Sequence, residues 1–126
     1  MFALKIGVLM LFIGVGFLLY QTRKYARMRF KDWRAVWTHQ LFGRITLGVT
    51  ILAVVLTEVM VKIAGLQATP LFWVHLSLAL PFLLILIALQ WMTGYRAPFW
   101  HKVLGYTCII AYVGTLITGT VLLYDL

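Results

Sequence analysis

The chain has 126 residues, of which 63% are hydrophobic and 11% charged, and its formal net charge is +8. Soluble domains carry about 45–50% apolar and about 25% charged residues, so this composition excludes an ordinary soluble domain and a disordered chain. A single cysteine, Cys108, excludes an internal disulfide and a thiolate metal cluster. The composition therefore predicts an integral membrane protein whose main partner is the lipid bilayer.

Four apolar runs are long enough to cross a bilayer, since a spanning helix needs about 20 residues. In chain order these runs cover residues 2–20, 45–66, 71–92 and 103–124. The first run has its charge cluster after it and not before it, so it is expected to be an uncleaved anchor and not a signal peptide. We predict an all-α fold, an integral membrane four-helix bundle, with residues 1–126 as a single transmembrane domain.

The segment 21–38, between the first two runs, combines basic residues with a helical apolar pattern. The apolar side chains of Ala26, Phe30, Trp33 and Trp37 recur at i, i+4, i+7 and i+11, which is the spacing of one helix face. This pattern predicts a short amphipathic helix lying in the cytoplasmic interface. Its role is either to anchor the connecting segment or to contact a cytoplasmic partner.

The positive charge is concentrated in the two connections predicted to face the cytoplasm. Nine of the 11 basic residues fall there: Arg23, Lys24, Arg27, Arg29, Lys31, Arg34, Arg44, Arg96 and Lys102. The positive-inside rule then places both termini outside the cytoplasm, and a prokaryotic inner membrane is the expected location. Because this topology explains the charge, no nucleic-acid partner is expected.

The histidines are the candidate metal ligands. His39 and His101 stand at the cytoplasmic starts of the second and fourth helices, 62 residues apart, and each precedes a glycine by four residues, Gly43 and Gly105. Residues i and i+4 share a helix face, so each glycine leaves a flat patch beside the imidazole against which a haem can lie. Two such histidines would ligate the iron of a haem b axially. The alternative interpretation is that they are interfacial anchors beside packing glycines. The haem propionates need cations at this depth, for which the candidates are Arg34, Arg44, Arg96 and Lys102.

His75 lies about one turn inside the third run, toward the external face, and Glu58 lies toward the same face in the second run. Three interpretations stay open. His75 ligates a second haem, although no fourth histidine exists to oppose it. His75 and Glu58 form a quinol-binding and proton-releasing pair. Or Glu58 pairs with Lys62 at i+4, while His75 bonds a backbone carbonyl.

The end of the fourth run carries a small-residue face formed by Gly114, Thr115, Thr118, Gly119 and Thr120. Small side chains let a neighbouring helix or a flat cofactor approach the backbone closely. Of these two interpretations, helix packing is the one we expect.

Four apolar helices with histidines in staggered layers, together with the His-Lys-Val-Leu-Gly-Tyr run at 101–106, resemble the cytochrome b561 core. The resemblance covers most of the chain. It implies that the second and fourth helices share one haem through His39 and His101, and that His75 belongs to a second pair. The helix-one member of that pair is missing, because residues 1–20 contain no histidine. The resemblance also implies transmembrane electron transfer with quinol, ascorbate or ferric iron as reactants.

Two functions therefore remain open. The first is a small membrane b-type cytochrome, with one or two haems b, that exchanges electrons with a redox partner such as quinone. The second is a haem-free accessory or assembly subunit of a larger respiratory or photosynthetic membrane complex. No catalytic residue is assigned, because the chain has one serine, Ser77, no paired carboxylates and no phosphate-binding glycine loop.

Overall fold

The structure is a computed structural model that describes residues 2–27, 33–65, 69–91 and 98–125. It contains four helices, which are α1 (Phe2–Arg27), α2 (Trp33–Ala64), α3 (Pro70–Trp91) and α4 (Pro98–Asp125). Within the described ranges there is no strand, so the predicted all-α class is confirmed. Each helix is long and apolar enough to cross a membrane.

Large apolar side chains are exposed along all four helices. Phe17 on α1 is 61% exposed, Ile63 on α2 is 67% exposed, Leu84 on α3 is 57% exposed and Ile110 on α4 is 73% exposed. Soluble monomers rarely expose contiguous apolar surfaces of this kind. Lipid chains would cover these side chains in a bilayer, so the four apolar helices indicate an integral membrane protein.

The predicted separate interfacial helix at 21–38 is wrong. Residues 21–27 continue α1, whereas residues 33–38 are already the first turns of α2. The residues of the apolar pattern therefore belong to two helices: Ala26 lies in the last turn of α1, Trp33 and Trp37 lie in the first turns of α2, and Phe30 lies outside the described residues. Extending an existing helix adds one hydrogen bond per residue without a new nucleus, so both membrane helices continue past their apolar runs.

Hydroxyl side chains inside the helices bond their own backbone. Each serine or threonine hydroxyl in the described helices donates to the carbonyl four residues earlier at 2.6–2.9 Å. Examples are Thr46 to Phe42 and Thr115 to Ala111. Thr46, Thr50 and Thr115 are buried. Because hydrocarbon offers no hydrogen-bond partner, this local bonding is what permits threonine in apolar helices.

The ends of α2 and α3 carry recognisable capping residues. Gly65 has a positive φ of 65°, and its N–H donates to the Val61 carbonyl at 2.9 Å, which closes α2 with a left-handed cap. Thr69 precedes α3, where its side-chain oxygen accepts from the Phe72 N–H at 3.2 Å. Pro70 follows as the first helical residue, a position that needs no N–H donor.

The chain divides into two compact units, Met1–Glu58 (unit 1) and Val59–Leu126 (unit 2). In unit 1, the rings of Tyr25 on α1 and Phe42 on α2 stack with centroids 5.6 Å apart and planes at 9°. In unit 2, α3 and α4 pack against each other, and Phe82 meets Tyr112 with ring centroids 5.7 Å apart.

Gly114, Thr118 and Gly119 of the small-residue face of α4 pack against α3, as the sequence indicated, whereas Thr120 is exposed. A Cβ atom placed on Gly114 would lie 3.0 Å from Cδ1 of Leu78, and one placed on Gly119 would lie 3.1 Å from Cε1 of His75. Both glycines therefore admit α3 side chains close to the α4 backbone, which is the packing role of small residues in membrane helices.

Candidate functional site

His39 is held by the backbone of α1 within unit 1. Its Nδ1 atom lies 2.7 Å from the carbonyl oxygen of Thr22. Because a carbonyl only accepts, Nδ1 carries the proton and donates it, and in the neutral imidazole the lone pair then lies on Nε2. This is the tautomer that a metal-ligating histidine adopts when its other ring nitrogen donates to a backbone carbonyl.

His39 stands on the buried face of α2. Positions seven residues apart share a helix face, because seven residues are close to two turns. Counting from His39 in sevens gives Thr46, Ala53 and Met60, and all three of these side chains are at most 1% exposed. His39 itself is half-buried.

His101 holds the same place on α4. Counting in sevens from His101 gives Cys108, Thr115 and Leu122, which are 1%, 2% and 8% exposed. The offset of 62 residues that relates the two His-x3-Gly segments thus also relates the buried positions along the two helices. On each helix, the buried positions therefore follow at the same spacing from the histidine.

His101 lies one turn before Gly105 on α4. The side chain is half-buried, and its Nδ1 atom is buried. A Cβ atom placed on Gly105, one turn further along α4, would have no heavy atom of the described structure within 4 Å. The partly buried Gly43 has the same spacing from His39, as the sequence required.

The predicted propionate cations lie on the outer sides of their helices. Arg34, Arg44 and Lys102 are exposed, and Arg96 is outside the described residues. At about 100° per residue, Arg34 and Arg44 are each about 140° around α2 from His39. Contact with a group beside His39 would require their long side chains to bend around the helix, as arginine does at membrane interfaces.

His75 is part of a defined cluster in unit 2. Its Nδ1 atom lies 2.8 Å from Oγ1 of Thr118, and Oγ1 lies 2.8 Å from the carbonyl oxygen of Gly114. The ring edge packs against Gly119. Of the three interpretations, one had His75 bond a backbone carbonyl, and the structure gives it a backbone hydrogen bond to Thr115 as well as the bond to the Thr118 side chain, both on the neighbouring helix.

Glu58 is an exposed residue of α2 and ends unit 1. His75 belongs to unit 2, and the quinol-binding pair of these two residues stays a prediction. Met60, on the same helix as Glu58, is fully buried.

Three residues that hold the histidines escaped prediction as site residues. Thr22 contributes only its backbone carbonyl, which has no signature in the sequence. Thr118 and Gly119 were recognised as parts of a small-residue face, but nothing in their spacing connects them with His75. A contact between two helices depends on their rotation and depth, neither of which a linear pattern contains.

No protein-family model, no curated protein and no solved structure matches this chain. Inference about its function therefore rests on the residues and contacts described above.

Proposed function

We propose that the protein is a small membrane b-type cytochrome that transfers electrons across or within the membrane, and that His39 and His101 would hold a haem b. Haem, when bound, supplies one-electron redox chemistry. The chain would supply the two imidazoles, the glycines Gly43 and Gly105 beside them, and cations for the propionates.

The observation that carries this proposal is the hydrogen bond between His39 Nδ1 and the Thr22 carbonyl. It fixes the imidazole ring and leaves the lone pair on Nε2, the atom through which a histidine so held can ligate iron. The matched registers of α2 and α4 extend the argument to His101, which occupies the equivalent buried-face position.

We also propose a role for His75 and an orientation of the chain in the membrane. His75 would serve the opposite end of the electron path, either as ligand of a second haem or as the group that takes a proton from quinol. Both termini would face outward from a prokaryotic inner membrane, because the basic residues cluster in the alternate connections. To test this orientation, a cysteine is introduced at either terminus in a Cys108→Ser background. A thiol reagent that does not cross the membrane should label it from the outside.

The decisive experiment is a reduced-minus-oxidised visible spectrum with a pyridine haemochrome count per chain, on protein produced with ample haem. We expect at least one b-type haem per chain. His39→Ala and His101→Ala should each abolish that haem, whereas the exposed neighbour Gln40 should tolerate replacement by alanine.

Loss of haem through misfolding is separated from loss of a ligand by chemical rescue. His39→Gly removes the imidazole, and free imidazole added to the purified variant should restore the haem spectrum if the site is otherwise intact. Full haem in both alanine variants would refute the ligand assignment. A colourless wild-type protein that co-purifies with a larger complex would instead establish the accessory-subunit function.

A further inference from the structure

The His75 cluster contains four hydrogen-bonded polar groups, one on α3 and three on α4. Nδ1 of His75 is 2.8 Å from Thr118 Oγ1, which is 2.8 Å from the Gly114 carbonyl and 3.2 Å from the Thr115 carbonyl. All of these atoms belong to unit 2. The cluster is therefore a property of one compact unit.

One arrangement of protons accounts for the contacts that Thr118 Oγ1 makes with His75 and with the two carbonyl oxygens. The Thr118 hydroxyl has a single proton, and its close oxygen neighbours, the carbonyls of Gly114 and Thr115, can only accept. If the hydroxyl instead donated to His75, two oxygen atoms would stand 2.8 Å apart with no proton between them. Nδ1 of His75 therefore donates to Thr118, and the lone pair of the neutral ring lies on Nε2.

The same row of hydrogen bonds cannot conduct a proton away from Nδ1 of His75. A relay through imidazole needs a group beyond Nδ1 that both takes a proton and passes one on. The Thr118 hydroxyl donates a hydrogen bond to a carbonyl oxygen, and a carbonyl oxygen has no proton to pass on. His75 therefore acts at one atom, Nε2.

Gly119 determines where that atom lies. A Cβ atom at this position would be 3.1 Å from Cε1, 3.7 Å from Nδ1 and 3.9 Å from Nε2 of His75. Contacts of 3.1 Å are tighter than ordinary van der Waals packing, so any side chain at position 119 would displace the ring. The glycine lets the imidazole lie against the α4 backbone at the height where Thr118 bonds it.

We infer that Thr118 and Gly119 are positioning residues of His75, which hold it as the Nδ1–H tautomer so that it acts as an electron-pair donor through Nε2 and not as a proton relay. The tautomer and the ring position follow from the cluster alone. The use of Nε2 in electron transfer rests on the proposed function.

Nitrogen NMR of selectively ¹⁵N-histidine-labelled protein tests the tautomer directly, and the resonances lost in His75→Gln identify those of His75. We expect a protonated Nδ1 and an unprotonated Nε2 in the wild type. Thr118→Val should abolish this preference, and Thr118→Ser, which keeps the hydroxyl, should retain it. Thr120→Val is the matched control, because Thr120 makes the same bond to a carbonyl of α4 but is exposed.

A redox measurement tests the role of the positioned atom. Reduction of the haem by a hydroquinone in membrane vesicles should slow about 10-fold in Thr118→Val, the lower end of the usual effect of orienting partners. Thr118→Ser should restore the rate, and Thr120→Val should leave it unchanged. A rate unchanged in Thr118→Val would overturn the role of Nε2 in electron transfer.

A wild-type His75 protonated at Nε2, or a tautomer unaffected by Thr118→Val, would overturn the positioning itself. Failure of the proposed function is distinguishable from these results. A protein without haem would have no haem to reduce, but the nitrogen resonances would still report whether Thr118 sets the tautomer.

Discussion

Replacement of Gly119 by alanine probes the closest contact between His75 and α4. The added methyl group would meet Cε1 of His75 at 3.1 Å, so the ring must retreat by a few tenths of an ångström. The ring is also bonded to Thr118 at 2.8 Å, so its retreat stretches that hydrogen bond. Gly105→Ala on the same helix is the matched control, because its methyl group meets no heavy atom of the described structure within 4 Å.

The expected changes in the free energy of unfolding have opposite signs in the two variants. Alanine favours a helix over glycine by about 1 kcal/mol, and Gly105→Ala should gain this amount. Gly119→Ala gains the same amount but incurs an overpacking cost of about 1–3 kcal/mol. Weakening of the hydrogen bond to Thr118 removes about 0.5–1.5 kcal/mol more. We expect Gly119→Ala to be about 0.5–3.5 kcal/mol less stable than the wild type and about 1.5–4.5 kcal/mol less stable than the control.

The assay is reversible unfolding of protein prepared without haem, in mixed micelles, followed by far-ultraviolet circular dichroism as denaturing detergent is titrated in. The double variant His75→Ala/Gly119→Ala isolates the contact, because without the ring the methyl group has nothing to displace. In the His75→Ala background, the Gly119→Ala change should be stabilising. Equal stabilisation by Gly119→Ala and Gly105→Ala in the wild-type background would refute the contact between His75 and Gly119.

Three further changes test the helix contacts and caps. Gly114→Ala should destabilise unit 2 by about 1–2 kcal/mol because its methyl group meets Leu78 at 3.0 Å, and Leu78→Ala in the same chain should cancel the clash, as a double-mutant cycle would show. Gly65→Ala should cost about 1 kcal/mol because the cap needs a positive φ, whereas Gly65→Asn should cost less; equal losses would contradict this explanation. Thr69→Ala should cost about 1 kcal/mol by removing the cap of α3, and Thr69→Ser should restore the stability, both measured by the same unfolding titration.

The number, type and approximate position of the helices were predictable, because each depends on a local property of the chain. Apolar runs near 20 residues mark membrane helices wherever they occur. Helix ends were less predictable. The pattern through Ala26, Phe30 and Trp37 follows the helical period, but a period does not reveal that Ala26 belongs to α1 and Trp37 to α2.

The candidate site was predictable in its residue types but only partly in its contacts. The repeated spacing of His39 to Gly43 and His101 to Gly105 is visible in the sequence, and the structure adds that both histidines stand on the buried faces of their helices. The haem itself stays a prediction. The depth of Arg34 and Arg44 in the membrane does not indicate on which side of α2 they lie. Counting residues around the helix does, and it places both of them away from His39.

The sequence by itself determined that this protein has four apolar helices, because hydrophobicity and length act along the chain and need no neighbour. It also determined which residues are able to donate an electron pair. Only the tertiary structure decided how those residues are held: the Thr22 carbonyl fixes His39, and Thr118 with Gly119 fixes His75. These choices depend on the rotation and depth of one helix against another, and they come from close packing across the helix pair, which no single segment encodes.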